Sequence, residues 1–469
     1  MMQQNQDVTH TVKKPLRRSL VNRQVQMLAI GGVIGVGLFY GATVSVGLAG
    51  PGVILDFILC GIIVAIVMRA LGEMTVHQPT SGSFSEFAGE AFGARMRLIM
   101  AGMWWFYWVA TVMSELAAIG KLIQFWLPNF PVWLPGVIAL ALFTITNLLA
   151  VRVFGELEYW FAVLKIMAIS VFIIFGLLFA FTGIFRGGEI LGLTNLYAHG
   201  GFLPHGWLGV VMAVSLVVQA YSGVETLGVE AGESSKPEKV MRRAFRSVTV
   251  RIAILYVGSM FVVLTVIPWQ HLIGSNSSPY VILFSRIGIP FAASLVNLII
   301  VLSGFSSCNT GLYGGSRMLY GVAQERNIEK IHLTRLNRHQ VPSVAVWLTA
   351  LAISVGILIT YLAPNNVYVW ITSASAFASL FTWLMILLTE VVLRRRAQQN
   401  GQTLSYAMPF WPILPWIGIV LVAGAILAIF LSPLTRVSVF AGLIWLVLMI
   451  VYASVQVARQ RLNVKSIHS

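Results

Sequence analysis

Two short stretches of this chain place glycines and polar residues inside apolar sequence, and each could bind charge through the peptide backbone itself. The first is Gly31-Gly32-Val33-Ile34-Gly35-Val36-Gly37-Leu38-Phe39; the second is Gln219-Ala220-Tyr221-Ser222-Gly223-Val224-Glu225-Thr226-Leu227-Gly228. A glycine weakens a helix by up to about 1 kcal/mol relative to alanine, so a helix through either stretch is expected to open there. Past the first opening, bending at Ile34 and Gly35, the N–H groups around Val36 and Gly37 lie at the positive end of a restarting helix. They can take a carboxylate. At the second opening the carbonyls of Ala220, Tyr221 and Ser222 are left as acceptors, which suit an ammonium group. Together the two receptors match the head groups of an α-amino acid.

Packing offers another reading of the glycines, since Gly31 with Gly35 and Gly37 with Gly41 fit the small-xxx-small spacing of close helix pairs. An isolated pair would favour packing; the recurrence of an interruption in a second segment favours a site. A dinucleotide loop is excluded by spacing and by the lack of a preceding strand. Glu115 adds a carboxylate near the middle of another apolar run, with Trp104, Trp108 and Thr111 on its helical face, and that stripe is expected to face the pocket. Packing with an interfacial aromatic belt suits Trp104 and Trp105 better than Glu115.

The elements that must position these groups are membrane spans. The chain has 469 residues, of which 58% are hydrophobic and 10% charged, and runs of about 20 apolar residues recur along it. The pattern predicts an all-α integral membrane protein with about twelve spans. They fall near 25–48, 52–75, 98–126, 132–151, 159–183, 207–229, 248–268, 290–320, 343–363, 367–393, 409–431 and 437–457. The net charge of +15 is not spread as a nucleic-acid surface would need. Lys and Arg gather in alternate loops, for example Lys236 to Arg251 and Arg394 to Arg396, which by the positive-inside rule puts both termini in the cytoplasm of a cell with its chain in the inner membrane. The polar, basic residues 1–24 lead into a full-length span and read as a retained cytoplasmic tail, not a cleaved signal. Cys60 and Cys308 fall within spans, which excludes a disulfide framework and a cysteine-rich metal site.

The two interrupted spans, first and sixth, are separated by five. An odd repeat inverts one half against the other, the signature of secondary transporters whose broken helices meet at the midplane. The predicted organisation is therefore a first repeat over 25–183, a second over 207–393, two added spans over 409–457 and a cytoplasmic tail over 458–469. No nucleophile, base and orienting group occur together, so an enzyme is not expected, nor is a cofactor or metal.

Further stretches carry a family resemblance: Met-Arg-Ala-Leu-Gly-Glu-Met (68–74), Pro-Thr-Ser-Gly-Ser-Phe (79–84), Phe-Gly-Glu-Leu-Glu-Tyr-Trp-Phe-Ala-Val-Leu-Lys (154–165), Ala-Gly-Glu (231–233) and Ser-Arg-Met-Leu-Tyr (316–320). With the first glycine stretch, in this order and spacing, the chain resembles the bacterial amino acid permeases of the amino acid–polyamine–organocation superfamily over nearly its whole length. The resemblance implies a LeuT-like 5+5 inverted repeat, discontinuous first and sixth helices, and proton-coupled uptake of amino acids. In similar sodium-independent permeases a lysine matching Lys165 occupies the place of a bound sodium ion, which implies a coupling role here; snorkelling to the interface is the alternative. Counterparts of Glu225 line the cytoplasmic side of the path, implying gating or proton exchange; a structural hydrogen bond at the opened segment competes with that. Asp56 and Glu230 depart from the family pattern, as does Arg326-Asn327-Ile328-Glu329 from its usual glycine and proline turn.

Ser303, Ser306, Ser307 and Thr310 share a face that could ligate sodium, although Ser303, Ser307, Gly311 and Gly315 also form a packing stripe. The lysine decides the reading for protons. The expected partners are an amino acid, protons and the bilayer, with no nucleic acid, in a monomer or homodimer. Neutral substrates are favoured; an exchanger, or an importer of a cationic amino acid or γ-aminobutyrate, stays open. A sensor is disfavoured by the short tails.

Overall fold

The computed structural model describes residues 34–80, 82–149, 151–184, 188–228, 254–273, 275, 277–286, 290–325, 333–364 and 366–467. The tail 1–24, Gly31, Gly32, Glu230, the basic cluster 236–251 and the run 326–329 lie outside them.

Helices account for the regular structure of the described residues. The short α1 (Val36–Phe39) runs through Tyr40 into α2 (Gly41–Ala49), and a Gly50-Pro51-Gly52 turn leads into α3 (Val53–His77). There follow α4 (Ser83–Phe92), α5 (Ala94–Ile123), α6 (Leu134–Leu149), α7 (Val151–Phe181) and α8 (Gly206–Tyr221). The chain continues with α9 (Ile254–Val266), α10 (Pro279–Arg286), α11 (Pro290–Glu325) and α12 (Ser343–Leu362). It ends with α13 (Val367–Gln399), α14 (Ile413–Leu431) and α15 (Arg436–Ile467).

Nine stretches of the described residues are helical, long and apolar enough to cross a membrane. One of them, Val36–His77, runs for 42 residues through α1 to α3 and contains the second predicted span and residues 36–48 of the first. The fourth and seventh predicted spans correspond to shorter apolar helices, Leu134–Leu149 and Ile254–Val266. The chain is a multi-pass, all-α membrane protein.

Burial sorts the helices by place. In α5 78% of the most apolar window is buried inside the protein, against 28% in the span of α7. The first is an inner helix and the second presents its apolar face outward, where lipid can meet it. Trp160 and Ile174 of α7, Leu351 of α12, Val420 of α14 and Ile444 of α15 are all exposed in the same way. Around α5 pack α4, α11, α12, α13 and α15, while α2 lies along α8.

At both predicted openings the described backbone leaves the helical conformation. Helix begins at Val36 after an extended Gly35, φ −104° and ψ −164°. In the second, α8 stops at Tyr221, Ser222 is extended, Gly223 takes φ +98°, and helix resumes at Thr226. A positive φ of that size is cheap only for glycine, which is why the chain can turn there. The two interruptions touch: a Cβ on Gly37 would lie 3.4 Å from the Cα of Ala220.

Candidate functional site

Where the interruptions meet, a small cavity is lined by Gly35 and Gly37 from the first, Gln219, Ala220 and Ser222 from the second, Tyr107, Trp108, Thr111 and Glu115 from α5, and Ser307 from α11. Its volume is about 10 Å3, room for about one water molecule. Six of the nine residues predicted to bind line it directly: Gly35, Gly37, Ala220, Ser222, Glu115 and Trp108. The other three stand behind. The carbonyl of Ile34 accepts the Ser303 hydroxyl at 2.8 Å, Val36 is buried with its side chain toward Gly304, and the Tyr221 hydroxyl donates to the carbonyl of Phe57 at 2.8 Å.

The Val36 N–H donates to the Glu115 carboxylate, 3.0 Å from Oε2. An acidic side chain thus caps the restarting helix and neutralises its positive end. Glu115 is buried and the contact spans 79 residues of sequence. On the other side, no backbone N–H of the described residues beyond Tyr221 reaches the carbonyls of Ala220, Tyr221 or Ser222. The wall between is polar: Gln219 Nε2 donates to Thr111 Oγ1 at 3.2 Å, and Thr111 and Ser375 hydroxyls lie 2.7 Å apart.

Gly35 has a second duty. A Cβ there would fall on the Glu115 carboxylate and lie 3.1 Å from the Ser307 hydroxyl. Forcing an atom into a filled site costs about 1–3 kcal/mol. Gly35→Ala is expected to insert and fold but to lose uptake, because the added methyl group occupies the space beside Val36 that a carboxylate must enter; uptake by reconstituted vesicles, with circular dichroism as the folding check, measures this.

Lys165 is 1% exposed, which removes snorkelling as its role. Its ammonium donates to Ser306 Oγ at 2.9 Å, and Ser306 in turn donates to Glu158. The other oxygen of Glu158 accepts Asn309 Nδ2 at 3.4 Å, and Asn147 Nδ2 donates to Asn309 Oδ1 at 2.8 Å. Glu115 and Glu158 both attract Lys165 electrostatically. Sequence reasoning did not single out Glu158, although it stands seven residues before Lys165, two turns along the same face of α7. The hydroxyl of Ser306 is engaged by the lysine and Glu158, while Ser303 faces the first interruption.

Glu225 is fully buried. Its Oε2 accepts the Gly223 N–H at 3.2 Å and the Trp383 indole N–H at 3.1 Å. It holds the opened segment to α13. Asp56 is buried in the first turn of α3, away from this cavity, with neither oxygen hydrogen-bonded among the described residues.

A multi-pass helical protein whose interrupted helices meet over a polar pocket has the anatomy of a membrane transporter. The chain belongs to the amino acid permease family, whose model matches residues 24–466. It is 39% identical over 442 residues to the uncharacterized amino acid permease YtnA of Bacillus subtilis (strain 168), covering 94% of this chain and 95% of that protein. It is 36% identical over 438 residues to the probable threonine/serine transporter YbxG of the same organism, covering 93% and 94%. To the aromatic amino acid transport protein AroP of Escherichia coli O6:H1 it is 36% identical over 434 residues, covering 92% and 94%. The protein is therefore a secondary transporter that carries amino acids across a membrane, and not an enzyme.

Proposed function

We propose that the chain imports a neutral amino acid together with a proton, using a LeuT-like pair of inverted five-span repeats, 25–183 and 207–393, with two further spans over 409–457 and both termini cytoplasmic. Division of Val36–His77 at its Gly50-Pro51-Gly52 turn, with Leu134–Leu149 and Ile254–Val266 counted as spans, supports a total of twelve. The contact between the two interruptions supports the repeat.

The observation that carries the reading is the Glu115 carboxylate on the Val36 N–H. A helix terminus already holding one carboxylate is suited to a substrate carboxylate of the same kind. On loading, the substrate carboxylate takes the amides of Val36 and Gly37, Glu115 moves off, and the substrate ammonium rests on the open carbonyls of Ala220, Tyr221 and Ser222. Glu115, Glu158 and Lys165, all ionised, carry a net charge of minus one in a buried site, and uptake of one proton brings them to neutrality at the moment Glu115 loses its helix terminus. A charge buried in a membrane is costly, which makes the neutral set favourable. Lys165 stands among the hydroxyls of α11 where a sodium ion would need to sit, which supports protons over sodium. Glu225 then gates the cytoplasmic side by releasing Trp383 and the opened segment. Rocking of spans one, two, six and seven against three, four, eight and nine alternates access.

Purified protein in proteoliposomes tests this, with labelled neutral and cationic amino acids and γ-aminobutyrate offered under separately imposed proton and sodium gradients. The expected result is accumulation of a neutral amino acid under the proton gradient alone. Accumulation that follows sodium, or uptake only against internal counter-substrate, overturns it.

A further inference from the structure

A second cavity, of about 260 Å3, lies between α3, α4, α13 and the segment that follows α13, lined among others by Glu73, Phe87, Glu390, Arg394 and Arg396. That volume is just short of the roughly 300 Å3 at which drug-sized sites begin. It is separate from the central site but on its line. Trp383, which holds Glu225, and Glu390 are seven residues apart on α13, two turns along one face and about 10 Å along the axis. The cavity lies at the end of α13 that carries Arg394, Arg395 and Arg396.

Most polar groups here are satisfied. Glu73 accepts Arg394 Nη1 at 2.7 Å and the Met408 N–H, Arg394 also donates to the Met408 carbonyl at 3.2 Å, and Arg396 donates to the carbonyls of Glu90 and Ala91 at 2.9 and 3.0 Å. Two groups are not. Glu390 is 0% exposed, lines the cavity, and neither of its oxygens has a hydrogen-bond partner among the described residues. Arg394, one turn further on, keeps a buried Nε–H that is also unpartnered. A buried carboxylate without a donor is expensive, and the two groups lie at helix spacing yet do not pair, because Glu73 draws the guanidinium the other way.

We infer that this cavity is a second amino acid site: Glu390 receives the ammonium of an amino acid, and the free Nε–H edge of Arg394 receives its carboxylate. A metal ion would satisfy Glu390 but face two guanidinium groups; an anion would satisfy Arg394 and leave Glu390 bare. A zwitterion completes both. Under the topology proposed above, on which the inference rests for its sidedness, this is the cytoplasmic vestibule, so the site holds amino acid that has left the central pocket or arrives from the cell interior.

Asn400 lines the cavity and is exposed, and Cys60 and Cys308 are the chain's two cysteines, both buried. Asn400→Cys therefore supplies an accessible thiol. Its modification by a charged maleimide in proteoliposomes is timed with L-serine, L-threonine or L-phenylalanine, and with ethylammonium or propionate as half-ligands. At about ten times its Kd an amino acid that binds should slow modification about tenfold, while the half-ligands at equal concentration do not. Adding Glu390→Gln should abolish the protection, and adding Gly35→Ala, which disables the central pocket, should leave it. The inference is overturned if no amino acid protects, if ethylammonium or propionate protects as well, if protection survives Glu390→Gln, or if Gly35→Ala removes it. The half-ligand comparison needs no change at Glu390, so a variant that fails to fold does not block the test. Since Gly35→Ala separates the sites, failure of the vestibular site and failure of proton symport give different results.

Discussion

Lys165→Ala is expected to abolish proton-driven accumulation while leaving exchange of internal for external amino acid measurable. The lysine donates to Ser306 and through it reaches Glu158, neither of which lines the cavity, so its loss removes the positive charge of the coupling set while the lining residues stay in place. The cost to the fold is a separate effect. Removing one partner of a buried charge pair costs about 3–5 kcal/mol because the other charge is left alone, and Glu158 would be that charge. The companion variant is Lys165→Ala with Glu158→Gln, which should recover thermal stability but not accumulation. Concentrative uptake by vesicles under a proton gradient, read beside counterflow, separates the two effects. Undiminished accumulation by either variant would discard a coupling role for Lys165.

What made this site legible was local composition. Glycine clusters with polar neighbours marked both interruptions, because opening a helix in lipid depends on the segment's own residues. Glu115 and Trp108 could be placed on one face by spacing, and both line the cavity. The sequence did not disclose the pairings. The Val36–Glu115 bond joins residues 79 apart and the Ser306–Glu158 bond residues 148 apart, and nothing in either segment names its partner. Glu158 was also hidden by a boundary: the fifth span was expected to begin at 159, whereas α7 begins at Val151 and runs for 31 residues. An apolar window starts where hydropathy rises, and a glutamate at that edge reads as an interfacial group. In fact the helix continues below it and burial against α11 encloses it. The vestibule needed three separated stretches, α3, α4 and α13, to be brought together, and the tie between Glu73 and Arg394 crosses 321 residues.

Glu115→Gln discriminates between two roles by the sign of its effect. If the carboxylate of Glu115 held the substrate ammonium, loss of its charge would weaken binding. As the resident cap of the Val36 N–H it competes with the substrate carboxylate, and the variant should bind more tightly. Glutamine keeps the size and an acceptor oxygen, so the helix terminus stays capped and the cavity keeps its shape. The cap is weaker, since hydrogen bonds to a charged group are roughly twice as strong as neutral ones. A difference of about 1 kcal/mol between the two caps corresponds to about a fivefold gain in affinity. The same change removes one of the two acids that surround Lys165. Without it the buried set is neutral before substrate arrives, and binding should no longer draw a proton from solution. Calorimetric titration in buffers of different ionisation enthalpy reads both quantities at once. Tighter binding with the proton uptake lost, and with it concentrative transport, is the expected result. Weaker binding with proton uptake intact would transfer Glu115 from the helix cap to the ammonium end of the substrate and leave the coupling to Lys165 and Glu158 alone.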